Sequence, residues 1–254
     1  MRLLLVWLAM VASSASAQSL TLVYQVDNRH TSERGEAVLH ISNSAIANHY
    51  RLPDMQLSQI TRQGEGQYVL IHSHKQILFR DFQPFYENAS SQLKAMAERM
   101  GKSEQQLWKM MLDPSNDPSA ATFSQINTQQ YQGVRDEVVV YRVQTEQSRL
   151  SASELDWLKT RLEQQMQIPQ SGLGLMADNV DELLRLFTYD HDALPSRIED
   201  LDSGYVLTLQ KHKWGAVEPS AFSLPAGYLK KDITEQTLNL MEYLQNLNEQ
   251  KSSN

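Results

Sequence analysis

The stretch FSLPAGYLKKD, Phe222 to Asp232, decides how this 254-residue chain closes. Phe222 and Leu224 alternate at period two, so both can enter one core. Pro225 has no N–H and ends ladder pairing. Gly227 tolerates a positive φ and lets the chain swing, so that Tyr228 can lay its ring back on a sheet edge. Asp232, with Glu235 three residues on, reads as the cap of a helix carrying Ile233, Leu240, Met241, Leu244 and Leu247. The expectation is a strand over 221–224, a sharp turn, and a C-terminal helix with a frayed Ser/Asn tail over 232–254.

Working outward, the first third reads as strands. Leu20, Leu22, Tyr24 and Val26 form one apolar face, and Ala37, Leu39 and Ile41 another. Further strands are expected at 46–52, 67–72 and 76–82, with Gly64-Glu65-Gly66 as a turn. The period then lengthens. Leu93, Met96, Ala97 and Met100 recur at helical spacing, and Gly101 stops that helix. Ser103 and Gln106 form a capping box before Leu107, Trp108, Met111 and Leu112. Strands return at 122–132 and 137–145, where Val138-Val139-Val140-Tyr141 is apolar on both faces and reads as a central strand. Ser151 and Glu154 cap a helix bearing Leu155, Leu158, Leu162 and Met166, and Asp178 with Asp181 opens another. Strands are also expected over 205–209. No linker divides the chain, so 18–231 reads as one domain.

The first residues, MRLLLVWLAMVASSASAQSL, place Arg2 before a short apolar run and an Ala15-Ser16-Ala17 cleavage signal. That is a secretory signal peptide over 1–17, cut after Ala17, and too short for a membrane span. The mature chain has 254 − 17 = 237 residues, and loss of Arg2 takes the formal charge from −7 to −8. An acidic balance argues against nucleic acid and polybasic membrane contacts. The chain has no cysteine, so neither a lipid-bearing terminus nor a disulfide exists. The expected compartment is a bacterial periplasm, with no transmembrane segment after cleavage.

The closing F-S-L-P-A-G-Y resembles the F-x-[LV]-P-x-G-Y of secreted bacterial domains of unknown function related in fold to the outer-membrane lipoprotein carriers (LolA/LolB-like). Tyr131-Gln132-Gly133-Val134-Arg135 leading into Val138-Val139-Val140-Tyr141-Arg142-Val143 is similar to that family's mid-sheet turn. Ala193-Leu194-Pro195-Ser196-Arg197 before Tyr205-Val206-Leu207-Thr208-Leu209 is similar to its late leucine-proline and strand pair. The chain departs from many members in having Asp136-Glu137-Val138, without a cysteine, after the glycine. The resemblance implies an α+β fold: a strongly curved antiparallel sheet, a LolA-like half-barrel, with helices covering its concave face and a C-terminal helix.

Such a half-barrel can hold an apolar chain. The expected lining is Leu22, Tyr24, Leu39, Ile41, Phe79, Leu93, Met96, Met100, Trp108, Met111 and Val140. An acyl chain of ~14 methylenes gains ~11 kcal/mol gross at ~0.8 kcal/mol per CH₂, of which association takes back several. The first functional expectation is therefore a non-enzymatic periplasmic protein binding an acyl chain or lipid. The alternative is a cell-envelope scaffold with a solid core, docking a protein partner through Leu240, Leu244 and Leu247. No catalytic residues, metal or cofactor are expected. His72 and His74, two apart on an expected strand, lack a third ligand, and Asp190-His191-Asp192 reads as a solvated turn. Gly172-Leu173-Gly174 lacks the rest of a phosphate loop, and no nucleophile turn exists.

Overall fold

The computed structural model describes residues 19–53, 55–81, 83–103, 106, 121–145, 150–166 and 194–234. In chain order the strands are β1 (Leu20–Asn28), β2 (Arg34–Ile41), β3 (Ala45–Leu52), β4 (Met55–Arg62), β5 (Gly66–Ile71), β6 (Gln76–Asp81), β7 (Thr122–Asn127), β8 (Gln130–Arg135), β9 (Val138–Thr145), β10 (Pro195–Asp200), β11 (Tyr205–Trp214) and β12 (Leu229–Asp232). Among the described residues there are two α-helices, α1 (Gln83–Met100) and α2 (Ala152–Met166). The twelve strands of the described residues belong to one open sheet, in the order β12-β6-β5-β4-β3-β2-β1-β11-β10-β9-β8-β7. Every pairing is antiparallel except β12 on β6, which is parallel.

The expected half-barrel, with helices covering a concave face, is corrected by this arrangement. Among the described residues the fold is mainly β and not α+β, the sheet is neither strongly curled nor closed, and its two faces carry different covers. Leu20, Leu22, Tyr24 and Val26 of β1 alternate with partly exposed residues, as period two requires. They define an inner face whose core continues through Leu39 and Ile41 of β2 to Val143 of β9 and Ile198 of β10. Leu155, Leu158 and Leu162 of α2 belong to this core. The Ser151 box that starts α2 is formed as expected: the Ser151 N–H donates to Glu154 Oε2 at 2.7 Å, and the Glu154 N–H donates back to Ser151 Oγ. Trp157 meets the Trp214 ring edge-on at 4.9 Å, and Arg161 donates to the Asn43 carbonyl at 3.1 Å. These contacts fix α2 near the β2–β3 turn.

Besides β12, two strands were absent from the sequence reading. In β4, Ser58, Gln59 and Thr61 are buried beside Leu57 and Ile60, so burial on both faces erases the polar–apolar alternation. In β10, Arg197 and Glu199 alternate with Ile198, and the strand is only six residues long. The expected single strand over 122–132 is instead the β7–β8 hairpin. The next turn places both Asp136 and Glu137 at positive φ, 49° and 64°, a left-handed pair that suits the twist of a tight hairpin. Val139–Tyr141 lie in β9, an interior strand, with Val138 exposed at its start.

The closing stretch also folds differently from expectation. Residues 219–222 form a 3-10 turn, not a strand, and 229–232 form β12, not the start of a helix. Asp232 accepts the Thr234 N–H at 2.8 Å, a local turn bond at the end of a strand. Gly227 does have the positive φ that the motif needs, 79°. Residues 235–254, the helices expected over 107–112 and from 178, and the signal segment lie outside the described residues.

Candidate functional site

On the outer face of β3 to β6, Ala47, Ile60, Tyr68, Leu70 and Ile77 form a second apolar cluster. It is roofed by the segment 216–228, hereafter the strap, through Phe222, Leu224 and Tyr228. A main-chain tie holds the strap's C-terminal end and a side-chain tie its middle. The Leu229 N–H donates to the Lys75 carbonyl at 2.8 Å, Arg62 donates to the Phe222 carbonyl at 2.9 Å, and β12 then runs along β6. Lys75 is itself left-handed, φ 48°, which turns the chain between β5 and β6 so that its carbonyl meets the strap.

Between strap and sheet lies a row of histidines. The alternation that sends Leu39 and Ile41 inward sends His40 outward, and register brings His49 and Ser58 directly opposite one another on β3 and β4. Neutral rings give the row one consistent direction. His49 Nε2 lies 3.0 Å from the Ala221 carbonyl, which can only accept, so that nitrogen donates. His49 Nδ1 therefore accepts from Ser58 Oγ at 2.8 Å. Ser58 accepts in turn from His72 Nε2 at 2.8 Å, and His72 Nδ1 accepts from the Tyr228 hydroxyl at 2.9 Å. His40 bonds Thr21 Oγ1 at 3.0 Å through Nδ1, and its ring meets those of His49 at 5.5 Å and Phe222 at 6.3 Å.

All three rings favour the neutral form. Burial, and then His49, push His40 down to about 4. Burial lowers His49 most; its bond to Ala221 opposes this, while Arg51 and His72 add to it. Burial and then Arg51 lower His72. Ser58 is only 3% exposed, held between two rings beneath the strap. The arrangement thus joins strands to strap more readily than it presents a nucleophile to a substrate.

The expected lining residues do not assemble at one place. Leu22, Tyr24, Leu39, Ile41 and Val140 are buried together in the inner core. Tyr24 donates to the Pro195 carbonyl at 3.1 Å, and burial pushes its hydroxyl pKa up. Phe79 lies on the opposite face, its ring 4.8 Å from that of Tyr68 and capped by the Lys230 ammonium at 3.8 Å. Met96 is half-buried on α1, and Met100, at the end of that helix, is exposed. Leu93 is in α1, but its side chain lies outside the described residues, as do Trp108 and Met111. His72 and His74 occupy a 3-10 turn, not a strand; His72 joins the row, and His74 bonds Ser73. Among the described residues, no three His, Cys, Asp or Glu side chains group to hold a metal ion.

Sequence reasoning missed His40, His49 and Ser58. The available signal was one imidazole on each of two consecutive strands, both opposite an apolar face. No protein-family model matches the chain, and no curated protein matches it.

Proposed function

We propose that the chain is an exported, non-catalytic interaction protein of the cell envelope, working in a periplasm and docking a protein partner through the residues that follow β12. The observation that carries this reading is the anchor at the end of β12. Ile233 and Thr234 are buried, the Ile233 N–H donates to the Phe79 carbonyl at 2.8 Å, and Thr234 Oγ1 accepts the Asp81 N–H at 2.9 Å. The chain beyond Thr234 therefore starts from a fixed point on the sheet, and Leu240, Leu244 and Leu247 recur there at helical spacing. The acyl-carrier reading has less support. Five of its lining residues share one core with Leu155, Leu158 and Leu162, so a chain entering there has to displace α2.

Truncation after Thr234 tests the docking reading, because it keeps β12 in the sheet. Cross-linking in the source cell is expected to capture a partner with the full chain and lose it with the truncated one. Identical cross-links from both chains would overturn the docking site, and a stoichiometric lipid in native mass spectra would restore the carrier. The intact mass of the mature protein should lack residues 1–17.

A further inference from the structure

We propose that the strap over residues 216–228 is an acid-released latch, held on the outer face by the neutral row His40, His49, Ser58 and His72 and freed when those rings take up protons. This goes beyond the docking reading and does not depend on it. The row runs in one direction from the Tyr228 hydroxyl to the Ala221 carbonyl, so both ends of the chain of bonds are strap residues. A proton added to His49 Nδ1 turns that nitrogen into a donor. Ser58 Oγ then receives two donors, and its own hydrogen loses its acceptor in a buried position. A proton on His72 Nδ1 likewise displaces the hydrogen of Tyr228.

The surrounding charges act in the same sense. Those that act on the rings are Arg51 of β3 and the rings themselves. Glu36 of β2 lies 3.6 Å from Arg51 and pairs with it across the β2–β3 ladder. On β5, β6 and β12, Tyr68 and Lys230 face Phe79 and Glu65 rather than the histidines. A second cation in the row therefore meets like charge at ring-contact distance, as at the 5.5 Å between His40 and His49.

With the strap docked, the rings titrate below their ordinary 6.5; with it released, water returns them towards that value. The released form binds more protons between the two limits. Docking is thus fully present above pH 6.5 and weakens as pH falls towards about 4. Proton uptake by His40, a partly exposed ring, should weaken docking about ten-fold at pH 5.

Amide hydrogen exchange on the full mature protein, corrected for intrinsic rates, tests the latch. Between pH 7.5 and pH 5, exchange at Ala221, Ser223 and neighbouring strap amides should rise about ten-fold while β1 and α2 amides hold steady. Unchanged strap exchange, or an equal rise in β1 and α2, would overturn the proposal. His49→Gln with His72→Gln should shrink the rise to the part due to His40, and His40→Gln added to that pair should abolish it. Should that pair already loosen the strap at pH 7.5, His40→Gln, which removes no bond to the strap, should still move the midpoint to lower pH; an unmoved midpoint rejects the latch.

Discussion

Helix α2 on the inner face and the strap on the outer face cover the same sheet by opposite means. The helix contributes Leu155, Leu158 and Leu162 to a core that reaches across most of the strands. The strap has no regular structure beyond one 3-10 turn, covers a cluster of five buried residues, and relies on polar ties through His49, Arg62 and His72. An apolar cover is non-directional and insensitive to pH, so losing one contact weakens it by degrees. A polar cover depends on the state of each donor and acceptor and fails at particular bonds. One sheet can thus carry a permanent roof and a conditional one.

The comparison can be broken most forcefully at Leu158, which is 1% exposed. Leu158→Ala is expected to cost about 3 kcal/mol in urea unfolding and to shift the whole transition. Comparable loss confined to the strap would mean that α2 is not the permanent roof. Phe222→Ala should cost about 2 kcal/mol, less than a fully buried aromatic because the ring is half-buried. That cost should appear as faster exchange in residues 216–228, with the global midpoint little changed. Tyr228→Phe removes one hydrogen bond and should loosen the strap by about 1 kcal/mol at pH 7.5. A control under neither roof is Glu137→Gly. It relieves a left-handed non-glycine residue in the β8–β9 turn, φ 64°, and should raise global stability by about 1 kcal/mol without altering strap exchange relative to β1.

The inner face was readable because β1 and β2 keep strict alternation, and α2 was readable from its capping box and its leucines. β4 was not, since polar residues buried beneath a roof cancel the very contrast that marks a strand. The closing motif yielded its parts correctly, with Phe222 and Leu224 in one cluster and Gly227 at positive φ. Its whole was misread, because a segment lying over a sheet uses the same apolar spacing as a strand within it. The histidine row was illegible for another reason. His40, His49 and His72 are brought together by hairpin register and by a turn, and neither is encoded in the spacing between them.

Strand order also bears on how the molecule is made. β1 to β6 form a continuous meander over residues 20–81, yet its two flanks are completed by β11 and β12, both encoded after residue 204. Until synthesis reaches the last fifth of the chain, that meander has raw borders on either side, open to pairing with another molecule. Assembly of the sheet is therefore a late event with distant partners, slow by the usual dependence on sequence separation, and a transcript cut short near codon 200 would yield a sticky product.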